Sequence, residues 1–190
     1  TFGINRLSQK GGMVVSPSGG NHASFSFVDK STQGNDYAAM GLRSENEAFK
    51  LKDPSILDNA DEFNDGCHMQ ILTVFPNFVL QQIQNTLAVR QVLPKGLAET
   101  ALNWTTFGFV DDTPEMKTRR LRQNNLAGPA GYVSMEDGAV GGFVQRGVAA
   151  ADGERAVLEM GGSGTTNEGT RATEAAVRGF WKCYRSHMGV

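Results

Sequence analysis

Between Cys67 and Val110, apolar and polar residues alternate through four runs joined by short connections. "CHMQILTVF" sets Met69, Ile71, Thr73 and Phe75 against His68, Gln70, Leu72 and Val74, and "FVLQQI", "TLAVRQVLP" and "ALNWTTFGFV" follow with few residues between them. A period of two sends successive side chains to opposite faces of a strand. Short links join neighbouring strands antiparallel, because a parallel pair needs a long crossover. This feature constrains the fold more than any other and predicts an antiparallel sheet. Upstream, "GGMVVS" and "HASFSFV" read as two further strands flanking the turn signal "PSGGN". Residues 29–66 are polar and rich in turn formers, with a short helix expected around "SENEAFKL". So long an excursion is expected to cover something.

Beyond Val110 the period changes. Thr113 is placed to cap a helix that has Pro114 at its first position and Glu115 in its first turn, and that closes at Gly128 before Pro129. A second helix is expected over residues 130–147. The Gly-rich "EMGGSGTTNEGT" then leads to a last helix in "RATEAAVRGFWKCYRSHMG", where Ala176, Phe180, Tyr184 and Met188 form an apolar stripe. Strands first and helices afterwards predict an α+β fold, and 190 residues are enough for one domain with its own core.

Charge and composition exclude some functions. A net charge of -2 gives no basic footprint for nucleic acid or an anionic membrane. No apolar run approaches the roughly 20 residues of a membrane span, and no signal peptide is visible. Two cysteines, Cys67 and Cys183, fit a reducing, cytoplasmic location better than a disulfide scaffold. The chain opens "TFGINRLSQKGG", without an initiator methionine and inside an amphipathic segment (Phe2, Ile4, Leu7), so a C-terminal fragment of a longer protein is expected.

Two residues stand out chemically. On a helix over residues 130–147, Val133, Asp137, Val140 and Val144 share one face. A carboxylate among valines is costly unless it is paired or bound to a metal. Arg146 and Arg119 are the candidate structural partners, and Gly138, Gly141 and Gly142 suggest close packing against this helix. Arg90 shares a strand face with Ala88 and Val92. A guanidinium keeps its proton, so on an inward face it calls for an anion, and otherwise it is a structural salt bridge or points outward from an edge strand. Arg171, where the Gly-rich loop meets the last helix, reads on its own as an exposed first-turn residue. His22, His68 and His187 show no metal-ligand spacing, and His22 reads as a strand-end residue. "GGSG" lacks the Lys-Ser/Thr of a phosphate loop, and no Gly-x-Ser-x-Gly elbow is present. These residues alone complete neither a metal site nor a nucleophilic triad.

The runs "RLRQNNLAGPAGYVSMEDGAVGGFVQRG", "FPNFVLQQIQNTLAVRQVLPKG" and "RATEAAVRGFWKCYRSHMG" resemble the large (α) subunits of Rieske-type aromatic ring-hydroxylating oxygenases, in their C-terminal catalytic domain. The likeness covers essentially the whole chain. With "NRLSQKGG" and "LKDPSIL" it points to the branch acting on terephthalate, and salicylate and halobenzoate hydroxylases look more distant. The resemblance implies a helix-grip fold, an antiparallel sheet wrapped around helices, with residues 1–190 forming the C-terminal part of the domain. It also implies a mononuclear Fe(II) held by two histidines and one aspartate on the helix after a Gly-Pro-Ala-Gly turn. That aspartate is Asp137, six positions after Gly131. The family's Asp-x-x-x-His-x-x-x-x-His motif and the Cys/His pairs of its [2Fe-2S] Rieske cluster are absent from these residues and are expected upstream.

By the same resemblance, electrons pass from NADH through a separate reductase and the cluster, and O2 is added to an aromatic carboxylate, terephthalate being the expected one, to give a cis-dihydrodiol. Arg90 and Arg171 become carboxylate anchors, and Ile71 lines the pocket. The family implies an α3 or α3β3 assembly with a small β subunit. Two alternatives stay open: a salicylate/halobenzoate-type hydroxylase, and a non-catalytic helix-grip ligand-binding module in which Asp137 pairs with an arginine.

Overall fold

The computed structural model describes residues 10–27, 51–151, 153, 155, 157, 162–169 and 173–190. The segment containing Phe2, Ile4 and Leu7, residues 44–50 of the expected short helix, and Arg171 lie outside them. Among the described residues six strands form one sheet: β1 (Lys10–Val15), β2 (His22–Phe27), β3 (Cys67–Val74), β4 (Phe78–Ile83), β5 (Thr86–Pro94) and β6 (Thr100–Phe107). Their order in the sheet is their order in the chain, and every neighbouring pair is antiparallel. The alternating pattern holds in β3 from Met69 to Val74, whereas Cys67 and His68 before it are both buried. In β3, Met69, Ile71 and Thr73 are half-buried, whereas Gln70, Leu72 and Val74 are exposed.

The register joins directly opposite residues into rows that cross the whole sheet. One row runs Val15, His22, Thr73, Val79, Arg90, Trp104, and the next runs Met13, Ser24, Ile71, Gln81, Ala88, Thr106. Opposed residues in an antiparallel pair share a face, so these rows belong to one side. It is the helix-covered side, where Met13, Val15, Gln81 and Ala88 are buried. On the other side Val14, Leu72 and Leu80 remain exposed.

Three helices follow among the described residues: α1 (Pro114–Ala127), α2 (Tyr132–Ala150) and α3 (Ala175–Met188). The Thr113 side chain caps α1 by accepting from the Met116 N–H, with Pro114 and Glu115 behind it as expected. α1 packs on β5 and on a single 3-10 turn at Pro54–Leu57. Its buried Gln123 accepts from the Asn85 N–H at 2.9 Å and donates to the Asp58 carbonyl at 2.6 Å, stitching helix, hairpin and turn together.

α3 lies against β1, and Ala175 and Ala176 form a small core with Met13 and Val15. The expected stripe is only partly right: Ala176 is buried, but Met188 is exposed and Phe180 and Tyr184 are half-buried. The face turned inward carries Ala175, Ala176, Gly179 and Cys183 instead, together with Arg178. The reason is distance. The helix comes so near the β1–β2 turn that a Cβ on Gly179 would sit 2.6 Å from the Gly19 carbonyl oxygen. Gly19 itself has φ +83°, a conformation that glycine adopts without strain. Both cysteines are free and buried.

The expectation that the valine face of α2 is buried is not met. No α2 side chain is buried, and Val140 and Val144 are 51% and 58% exposed. Nor do Gly138 and Gly141 mark close packing, since a Cβ on either would meet nothing within 4 Å. A helical period records which face seeks cover. Among the described residues α2 packs chiefly on α1, and no layer lies over its valines.

Candidate functional site

The position of α2 is set by the turn before it. Gly128 and Gly131 bracket Pro129 and Ala130, and Gly131 N–H donates to the Gly128 carbonyl at 2.9 Å. A Cβ on Gly131 would lie 2.5 Å from the Leu126 carbonyl, so the chain can double back on α1 only with glycine there. This turn puts Asp137 in the second turn of α2, exposed to solvent. Neither expected structural partner reaches it. Arg119 donates to the Asp58 carbonyl at 2.9 Å, and Arg146 lies over the Phe143 ring at 5.0 Å.

The guanidinium that does feel Asp137 is Arg90. It lies on an interior strand and on the helix-covered face, so the outward, edge-strand reading of this residue is set aside. Its strand neighbours in the row are Val79 and Trp104, and its Cζ sits 5.0 Å from the centre of the Trp104 ring. Burial lowers its pKa, and the negative charge of Asp137 offsets part of that shift. Its Nε is buried without a hydrogen-bond acceptor, and no carboxylate lies within ion-pair distance of it among the described residues. A half-buried cation backed by an aromatic face and short of an acceptor is suited to a planar anion. Ile71 sits two strands away in the adjoining row, half-buried on the same face, as a lining residue would.

The aspartate is a hard anionic oxygen donor without another partner among the described residues, which fits the carboxylate position of a 2-His-1-carboxylate Fe(II) site. It is one ligand only. Among the described residues no group of three or more His, Cys, Asp or Glu side chains could hold a metal ion. His187 meets the Cys183 carbonyl at 2.9 Å, and His22 stands in the Arg90 row at the start of β2.

The other concentrated charge is structural. Arg120 holds Asp112 through two hydrogen bonds of 2.8 Å and also meets Glu62 and the Asn85 carbonyl. Two open clefts of about 350 and 380 Å³ flank α1, and neither is lined by Asp137 or Arg90.

Sequence reasoning missed Val79 and Trp104 as the neighbours of Arg90, and His22 and Thr73 as further members of its row. The signal that could have found Val79 is the tight Gln84–Asn85 turn. It pairs Ile83 with Thr86 and therefore Val79 with Arg90.

Comparison with known proteins follows the same lines. The family described as ring hydroxylating alpha subunit (catalytic domain) matches residues 7–190. The chain is 57% identical over 189 residues to the terephthalate 1,2-dioxygenase terminal oxygenase component subunit alpha 2 of Comamonas sp, covering 100% of this chain and 46% of that protein. It is 39% identical to the anthranilate 1,2-dioxygenase large subunit of Burkholderia cepacia and 34% identical to the salicylate 5-hydroxylase large oxygenase component of Ralstonia sp, each time over 100% of this chain and 45% of the relative. The crystal structure of naphthalene 1,2-dioxygenase from Rhodococcus sp. bound to indole superposes with a TM-score of 0.65 at 16% identity, over 96% of this chain and 46% of that one, a likeness of fold. The chain thus spans about half the length of the curated relatives it matches.

Proposed function

Because this chain belongs to the catalytic-domain family of ring-hydroxylating alpha subunits, we propose that it is the C-terminal part of the catalytic domain of an oxygenase that dihydroxylates an aromatic carboxylate, with terephthalate as substrate. The observation that carries the substrate class is Arg90: half-buried, backed by Trp104, within reach of the Asp137 charge and lacking an acceptor at Nε. The 57% identity to a terephthalate dioxygenase subunit supports the choice of a dicarboxylate.

In this reading Asp137 is the carboxylate ligand of a mononuclear iron whose two imidazole ligands, like the [2Fe-2S] cluster, belong to the rest of the protein. The bound iron would supply the activation of O2. The residues of this chain orient and anchor. Arg90 fixes one carboxylate through its guanidinium fork, while Ile71, Val79 and Trp104 give the ring an apolar seat that limits water. Arg171 is assigned to the second carboxylate on the family resemblance. Electrons would come from NADH through a reductase, and an α3 or α3β3 assembly is expected.

The test is turnover by the full-length oxygenase with its reductase, comparing terephthalate with benzoate, salicylate and anthranilate and identifying the products. Formation of a cis-dihydrodiol from terephthalate in preference to the monocarboxylates supports the reading. Preference for salicylate or anthranilate would move the protein to the related hydroxylases. Binding of these acids without turnover of any of them would return it to the class of ligand-binding modules, and full activity in Asp137→Asn would remove Asp137 from the ligand set.

A further inference from the structure

The same row of the sheet that holds Arg90 carries a second polar side chain. His22, Thr73, Val79 and Arg90 are directly opposed on four consecutive strands and share the helix-covered face. His22 and Arg90 are thus three inter-strand spacings apart, about 14 Å from backbone to backbone. Only the short side chains of Thr73 and Val79 stand between them. Between them the row is a low floor, with Val15 beyond His22 and Trp104, which backs the Arg90 guanidinium, beyond Arg90.

We propose that His22 is a substrate-binding residue that donates a hydrogen bond from Nε2 to the polar group at the end of the ring opposite the end held by Arg90. This rests on the reading of the site as one for an aromatic dicarboxylate. The tautomer follows from the surroundings. Nδ1 of His22 is enclosed and has no hydrogen-bond partner, while the residue as a whole is only half-buried. A proton on Nδ1 would be a buried donor without an acceptor, which is rarer and costlier than an unused lone pair. The proton therefore sits on Nε2, at the open edge. Burial also lowers the pKa of the ring below its ordinary value, which keeps it neutral near pH 7.

The experiment uses the full-length oxygenase and its His22→Phe, His22→Leu and His22→Gln variants, measuring dissociation constants by calorimetry and KM and kcat by turnover. Terephthalate and benzoate are the probes, with circular dichroism to select folded variants. His22→Phe keeps the ring and removes the nitrogens, and His22→Leu serves if it does not fold. Either is expected to weaken terephthalate about tenfold or more while leaving benzoate nearly unchanged. His22→Gln, which keeps a donor, recovers most of that loss. An unchanged preference for terephthalate over benzoate in the donor-free variant overturns the inference alone. Equal losses on both substrates also overturn it, because they mark a structural role. If the wild-type protein shows no preference for terephthalate, the dicarboxylate reading fails and takes this inference with it.

Discussion

The charge of Asp137 on α2 reaches Arg90 on β5 and offsets part of the cost of burying that guanidinium, yet no ion pair joins them among the described residues. Direct pairing would use up both groups. In the proposed site, holding them apart leaves the carboxylate for a metal and the guanidinium for an anionic ligand.

Arg90→Gln in the full-length protein is expected to weaken terephthalate binding by about ten- to a hundredfold, the size of a lost charge-assisted hydrogen bond of roughly 1.5 to 3 kcal/mol. Arg90→Lys keeps the charge but not the planar fork over Trp104 and should recover only part of the loss. Wild-type KM values in both variants would make Arg90 structural.

Asp137→Ala in the same protein should lose the mononuclear iron and turnover while the Rieske cluster remains. Iron analysis combined with the visible spectrum of the cluster reads both quantities in one sample, and full iron occupancy would remove Asp137 from the ligand set.

These 190 residues expressed alone should not hold Fe(II) against a chelator. One carboxylate without two imidazoles leaves most coordination positions to water. A stoichiometric, chelator-resistant iron would show that residues of this chain complete a site unaided.

Two glycine substitutions should have opposite signs in the isolated chain. Gly179→Ala puts a Cβ 2.6 Å from the Gly19 carbonyl and 3.0 Å from Val15 Cγ1, so overpacking of about 1–3 kcal/mol outweighs the gain in helix propensity. Gly141→Ala meets nothing within 4 Å and should stabilise α2 by up to about 1 kcal/mol. Denaturant melts of both variants decide.

Arg120→Met removes the shared partner of Asp112 and Glu62, whose side chains are 5% and 13% exposed, and should destabilise by about 3 kcal/mol at neutral pH. The hydrogen bond from Arg120 holds the Asp112 carboxyl below its ordinary value. Its stabilisation is therefore complete above the unfolded carboxyl value near 4 and is lost as pH falls through the lower folded value. Thermal melts from pH 6 to pH 3 should show the wild type losing stability in acid and the deficit of the variant narrowing.

Sequence alone determined the antiparallel sheet of β3 to β6, both ends of α1 and the α+β class. Each of these is written locally: in a period of two, in short links between strands, or in Thr113, Pro114 and Gly128 at the ends of a helix. Arg90 and Asp137 were also visible as single residues, because each is a charge in an apolar pattern. What stands beside them was not visible. That Trp104 backs Arg90, that His22 stands in the same row, that Arg120 gathers Glu62 and Asp112, and that α3 turns its glycine and alanines inward were decided by tertiary structure. The physical reason is that these relationships depend on hydrogen-bond register and on the closeness of backbone approach between segments far apart in the chain. A periodic pattern names the face that seeks a neighbour and leaves the neighbour open, as the uncovered valines of α2 show.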